Sequence, residues 1–231
     1  MERTGGAEIL RISTARFAGN ARLAGNLLAI GGILFFIAGV LHPHSTGGAL
    51  LASMAGMLSD PLWALAHWVS YVSVVLIILA LWLLMDSTWA DGSLAARAGI
   101  RLTIIGGLFM MVEFAVELAT KGAVGILAAG NTVPIFHLFA TMHAAGWPTI
   151  AAGFITMILG IREGVPLAIR IIGIVGALAM GLAGILVAGF YLTSFGALFI
   201  GGDLLAIWIV WAGVQIARGR MSDSISLVSP R

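Results

Sequence analysis

Six stretches of this chain, each near or above the ~20 residues needed to cross a bilayer and almost wholly apolar, limit its fold more than any other feature. They run approximately from Leu23 to Leu41, Pro61 to Met85, Ala98 to Thr120, Ile135 to Ile161, Val165 to Leu192 and Phe195 to Ile216. In lipid such a segment must satisfy every backbone N–H and C=O internally, which a helix does, while its side chains need no water. Composition points the same way. Of 231 residues, 60% are hydrophobic and only 10% charged, whereas soluble domains carry roughly 25% charged residues. The expected fold is therefore all-α: a six-transmembrane-helix bundle. Residues 1–22 would form a cytoplasmic or interfacial N-terminal segment, 23–217 the membrane domain and 218–231 a cytoplasmic tail. The first stretch follows arginines, as a signal peptide does, but it is long and no A-x-A cleavage pattern follows near His42, so it reads as a retained helix. No linker or composition shift divides the chain.

Orientation follows from the basic residues. Arg3, Arg11, Arg16 and Arg22 precede the first span. Arg97 and Arg101 flank the join of spans two and three, Arg162 and Arg170 that of four and five, and Arg218, Arg220 and Arg231 follow span six. Eleven of the twelve basic residues thus fall on one side, Lys121 being the exception, and the positive-inside rule places both termini in the cytoplasm. Trp82, Trp89 and Trp211 then fall near the inner interface, and Trp63 and Tyr191 near the outer one, where amphipathic rings settle. The absence of cysteine excludes disulfides, thiolate metal sites, iron–sulfur clusters and covalently held haem. A net charge of +2 with scattered basic residues lacks the clustered footprint of a nucleic-acid binder.

Against this background the polar residues inside the spans stand out. Counting inward at the helical rise, Glu117 lies about 5 Å and Glu113 about 10 Å below the outer end of span three, with His67 on span two also about 10 Å deep. His143 on span four and Asp203 on span six come out at about 12 Å. All five histidines and every acidic residue within a span fall in the outer half, and burying a carboxylate near the bilayer centre costs about 2.5 to 3.5 kcal/mol on insertion scales. Residues three, four and seven apart share a helix face, so Glu113, Glu117 and Thr120 form one stripe and His67, Ser70 and Tyr71 another. His143 shares a face with Trp147, and Pro148 should disturb the helix just inward of them. The expectation is a polar pocket shared by spans two, three, four and six and open to the outside.

Local alternatives exist for several of these residues. Asp60 before Pro61 reads as a helix cap, and His42, Pro43 and His44 as an interfacial turn. His137 reads equally as a solvated interface residue. Glu117 could snorkel to the surface beside Lys121. The glycines read as close-packing positions between helices. The segments 45–59 and 122–133 are too short or too weakly apolar to span yet too apolar for solvated loops, so both are expected to lie over the outer mouth as short helices.

Three chemistries suit the pocket. A divalent metal site of zinc, manganese or non-haem iron type would use His67, His143, Glu113 and Glu117 as ligands, with Glu113 or Asp203 free to activate water for hydrolysis of a small hydrophobic or lipid substrate. A single b-type haem would instead take His67 and His143 as axial ligands. A cation- or proton-coupled transporter would bind its ion at Glu113, Glu117 and Asp203, although the inner half offers no continuation of such a path. A homo-oligomer or an accessory subunit of a membrane complex is compatible with the same residues.

"LHP" closing span one, "DPLWALAH" entering span two and the acidic third span resemble a family of bacterial multi-pass membrane proteins of uncharacterised activity. The likeness covers about the first half of the chain. It implies a bacterial plasma membrane and carries no catalytic residue or cofactor with it.

Overall fold

A computed structural model describes residues 4–43, 49–85, 93–161 and 164–220, with side chains from Gly19 onward. His44, Trp89, Arg3, Arg162, Arg231, residues 45–48 of the first expected lid and the tail beyond 220 lie outside the described residues.

The chain is helical throughout: α1 (Thr4–Leu41), α2 (Leu50–Ser59), α3 (Trp63–Met85), α4 (Leu94–Thr120), α5 (Val124–Ala128), α6 (Pro134–Gly160), α7 (Leu167–Ala183) and α8 (Ile200–Ala217). A 3₁₀ turn, Lys121–Ala123, joins α4 to α5. Beyond α7 the helix widens into a π-helical segment, Gly184–Gly189, and a 3₁₀ segment, Thr193–Phe199, leads into α8. There is no strand among the described residues. Six helices are long and apolar enough to cross a membrane; those of spans two and four match the expected bounds closely, the helix of span one begins earlier, span three continues to Ala128, and regular α-helix ends at Ala183 in span five and begins at Ile200 in span six.

The six long helices close into a ring in chain order, α1–α3–α4–α6–α7–α8 and back to α1, each antiparallel to its neighbours. Lipid tails are as apolar as leucine, so what holds such helices together is close packing rather than expulsion of water. Glycines let the backbones approach. A Cβ on Gly99, Gly106, Gly153 or Gly160 would collide with backbone across the α4/α6 seam, and one on Gly25 or Gly213 would do the same across α1/α8. Ser73 donates from Oγ to the carbonyl of Gly31 at 2.8 Å, and Thr103 to Gly99 at 2.9 Å, so the hydroxyls in the deep interior are satisfied by backbone. The outward faces carry exposed Ile30, Leu79, Leu108, Val112, Ile171 and Leu178. A water-soluble monomer rarely shows so large an apolar surface.

Antiparallel order sorts the ends. Arg22, Arg97, Arg101, Arg170, Arg218 and Arg220 share one end, and Lys121 lies at the other. At the Lys121 end, α2 packs against α5, and Met54, Ala55, Leu58, Leu127, Phe136 and Phe139 form a second apolar cluster over the starts of α3 and α6. The first expected lid is therefore helical over 50–59 and the second over 122–128, with turn and coil from 129 to 133, and both cover that end. Asp60 caps the entrance to α3, its Oδ1 accepting the Leu62 N–H at 2.7 Å.

Candidate functional site

The site lies at the Lys121 end, where α4 sits between α3 and α6. Helix α4 supplies Glu113 and Glu117, four residues apart and hence on one face. They turn to different partners. Glu117 Oε2 lies 2.8 Å from His67 Nε2 on α3, and Glu113 Oε1 lies 2.6 Å from His143 Nδ1 on α6. Relative exposures of 1% for His67, 0% for Glu113, 5% for Glu117 and 8% for His143 put all four out of reach of bulk water.

Each acidic group is held by a further group. Trp147, one turn beyond His143, donates its Nε1–H to both Glu113 oxygens at 2.9 Å. His67 donates from Nδ1 to the carbonyl of Trp63 at 2.7 Å, because a carbonyl can only accept. That bond orients the ring and leaves Nε2 to face Glu117, so both nitrogens of His67 are engaged. Aromatic rings complete the walls. Phe139, Trp147 and Phe199 surround His143 at centroid distances of 5.4, 5.2 and 5.5 Å, and Trp63 lies 3.9 Å from His67.

Three features of this network are incomplete. The short contact between His143 Nδ1 and Glu113 is out of line for a hydrogen bond, and buried His143 Nε2 has no hydrogen-bond partner; the Glu117 Oε2 contact to His67 is likewise misaligned. One ligand atom each from Glu113, Glu117 and His143 lies within 4.8 Å of the other two. Two carboxylates this close in an apolar interior, with His67 and His143 as the basic groups facing them among the described residues, form a donor set that a cation would fit.

The residues singled out in the sequence are thus partly brought together. Glu113, Glu117 and His143 converge, while His67 stands behind Glu117 and touches the group through it. Asp203 is not among the converging ligand atoms: it lies on α8 with its carboxylate against Gly39 of α1, and span six contributes Phe199 to the wall around His143 rather than a ligand. Glu117 does not reach the surface beside Lys121. His137 is exposed on another face of α6. His42, read as part of an interfacial turn, in fact lies over the site, its ring 5.1 Å from His67 and 5.3 Å from Trp63. Its position one residue past the end of α1, at the depth where α3 begins, was the available signal. Phe199 was not anticipated, since nothing in its sequence context marks it as facing His143.

The arrangement does not suit a haem between His67 and His143. A porphyrin needs a flat slot between its two ligands, and α4 fills that space with two carboxylates already bound to both histidines. Comparison with protein-family models, with curated proteins and with solved structures found no match for the chain.

Proposed function

We propose that this chain is a multi-pass protein of a bacterial plasma membrane, with both termini cytoplasmic, that binds one divalent metal ion through Glu113, Glu117 and His143 near its outer face. The observation that carries the reading is the convergence of those three ligand atoms within 4.8 Å, together with an unpartnered, buried His143 Nε2. An imidazole with two carboxylates suits zinc, manganese or ferrous iron. His67 and Trp147 are the orienting shell, each fixing one glutamate as partners of metal ligands do. The ring of aromatic groups keeps the surroundings dry, which strengthens ion–ligand attraction.

With three protein ligands a bound zinc would be left open to water, as in catalytic rather than structural zinc sites. On this reading the reaction is hydrolysis of a small hydrophobic or lipid substrate, with the metal supplying an activated water. Transport fits less well. Among the described residues the buried ionisable groups stop at this end, and the interior beyond them is apolar apart from hydroxyls such as Ser73 and Thr103 that donate to backbone.

The test is metal analysis of the detergent-purified chain, stripped with chelator and reloaded separately with zinc, manganese and ferrous iron. One ion per chain is expected, lost in Glu113→Gln, Glu117→Gln and His143→Ala and retained in Asp203→Asn. Failure of all three metals to bind overturns the proposal, and a Soret band in the visible spectrum restores the haem alternative.

A further inference from the structure

Helix α6 lines a groove with a second face. His137, Thr141 and Ala144 recur at helical spacing, away from the face that carries His143. With Ala145 they form one wall of an open groove of about 440 Å³ whose other wall is Gly189 and Tyr191. That volume falls within the roughly 300–1,000 Å³ typical of ligand pockets. We propose that the groove binds a single-chain membrane amphiphile, its acyl tail lying along Ala144 and Ala145 and an acidic oxygen head group, carboxylate or phosphate, held by His137 and Tyr191.

Several observations fit that occupant. The strip of α6 that lines the groove is cut back to alanine at Ala140, Ala144 and Ala145, which leaves room for a slender apolar tail. Exposed Leu138, Phe190 and Leu192 flank it and place it in an apolar medium. Polarity is graded along its length. The His137 imidazole and the Tyr191 hydroxyl have no hydrogen-bond partner among the described residues and can donate to a head group, while Thr141 spends its only donor on the His137 carbonyl at 2.9 Å. The far wall is built to stay open: the π-helical turn over Gly184–Gly189 widens the end of α7, and Tyr191 is held at φ 58°, a left-handed conformation that a bulky residue adopts only where its surroundings enforce it.

The inference rests on the membrane reading and not on the metal. The full chain in lipid nanodiscs is irradiated with two probes carrying the same tail diazirine, a stearic acid and a lysophosphatidylglycerol, and adducts are mapped by mass spectrometry, with zinc content measured on each sample. Adducts are expected to concentrate in residues 134–145 and 184–192, to fall to the background of other lipid-facing helices in Ala145→Leu, and to weaken in the double variant His137→Leu/Tyr191→Phe. The probe that loses more in that double variant identifies the head group as carboxylate or phosphate. Zinc content is expected to stay unchanged in all three proteins, so loss of labelling with zinc retained separates this site from the metal site. Uniform labelling across α1, α4 and α7, or groove labelling undiminished by Ala145→Leu, overturns the proposal. Should Ala145→Leu fail to fold, competition by unlabelled stearate on the natural chain decides instead, and absence of competition refutes it.

Discussion

Replacing His67 by leucine tests whether the paired glutamates are buried as tightly as the geometry states. In the metal-free protein, His67→Leu leaves Glu117 at 5% exposure with its 2.8 Å partner gone and the Glu113 carboxylate close by. Stripping one member from a buried ion pair costs about 3–5 kcal/mol, because the survivor keeps its desolvation penalty without its attraction. Little of that cost comes from the Trp63 carbonyl, which also serves as a helix acceptor. Removing both partners in His67→Leu/Glu117→Leu eliminates the stranded charge, and buried pairs replaced by apolar groups of similar volume come out neutral or about 1–4 kcal/mol more stable than the pair. The double variant should therefore be more stable than His67→Leu alone. The assay is reversible unfolding in mixed micelles of increasing denaturing-detergent fraction, with chelator present, run as a complete double-mutant cycle. If His67→Leu costs less than about 1 kcal/mol, or if the two single losses simply add, the pair is not desolvated and the reasoning fails.

Other consequences follow from the same contacts. Trp147→Phe keeps the ring packing on His143 but removes the donor shared by both Glu113 oxygens, and should weaken zinc binding by about 10–100-fold; an unchanged affinity in competition titrations would show that the indole does not orient the ligand. Gly153→Leu places a side chain against Thr103 in the α4/α6 seam, and overpacking of this kind costs about 1–3 kcal/mol; because it parts the helices that carry Glu113 and His143, its zinc occupancy should fall together with its unfolding midpoint. Reporter fusions near Asn20 and after Arg220 should read cytoplasmic and one near Asn131 external, whereas a cytoplasmic signal near Asn131 would invert the proposed orientation.

The sequence by itself determined the helices and their order. Twenty-residue apolar runs admit little besides helix once water is excluded, and arginines at Arg22, Arg97, Arg101, Arg170, Arg218 and Arg220 mark alternate ends whatever the packing. The four-residue spacing of Glu113 and Glu117 was likewise local and legible, as was the shared face of His143 and Trp147. Which helices meet was not, because in a ring of apolar helices the neighbours are chosen by the fit of small residues such as Gly99, Gly106 and Gly153 into facing backbones, and hydropathy is nearly the same for every pairing. Only the tertiary structure placed α4 between α3 and α6, so that each glutamate took its own histidine instead of all four sharing one centre. It also set Asp203 against Gly39 and carried His42 over His67. Depth is a property of one helix and can be counted along it, but convergence depends on how each helix is rotated about its axis, and that rotation is decided by contacts distant in sequence.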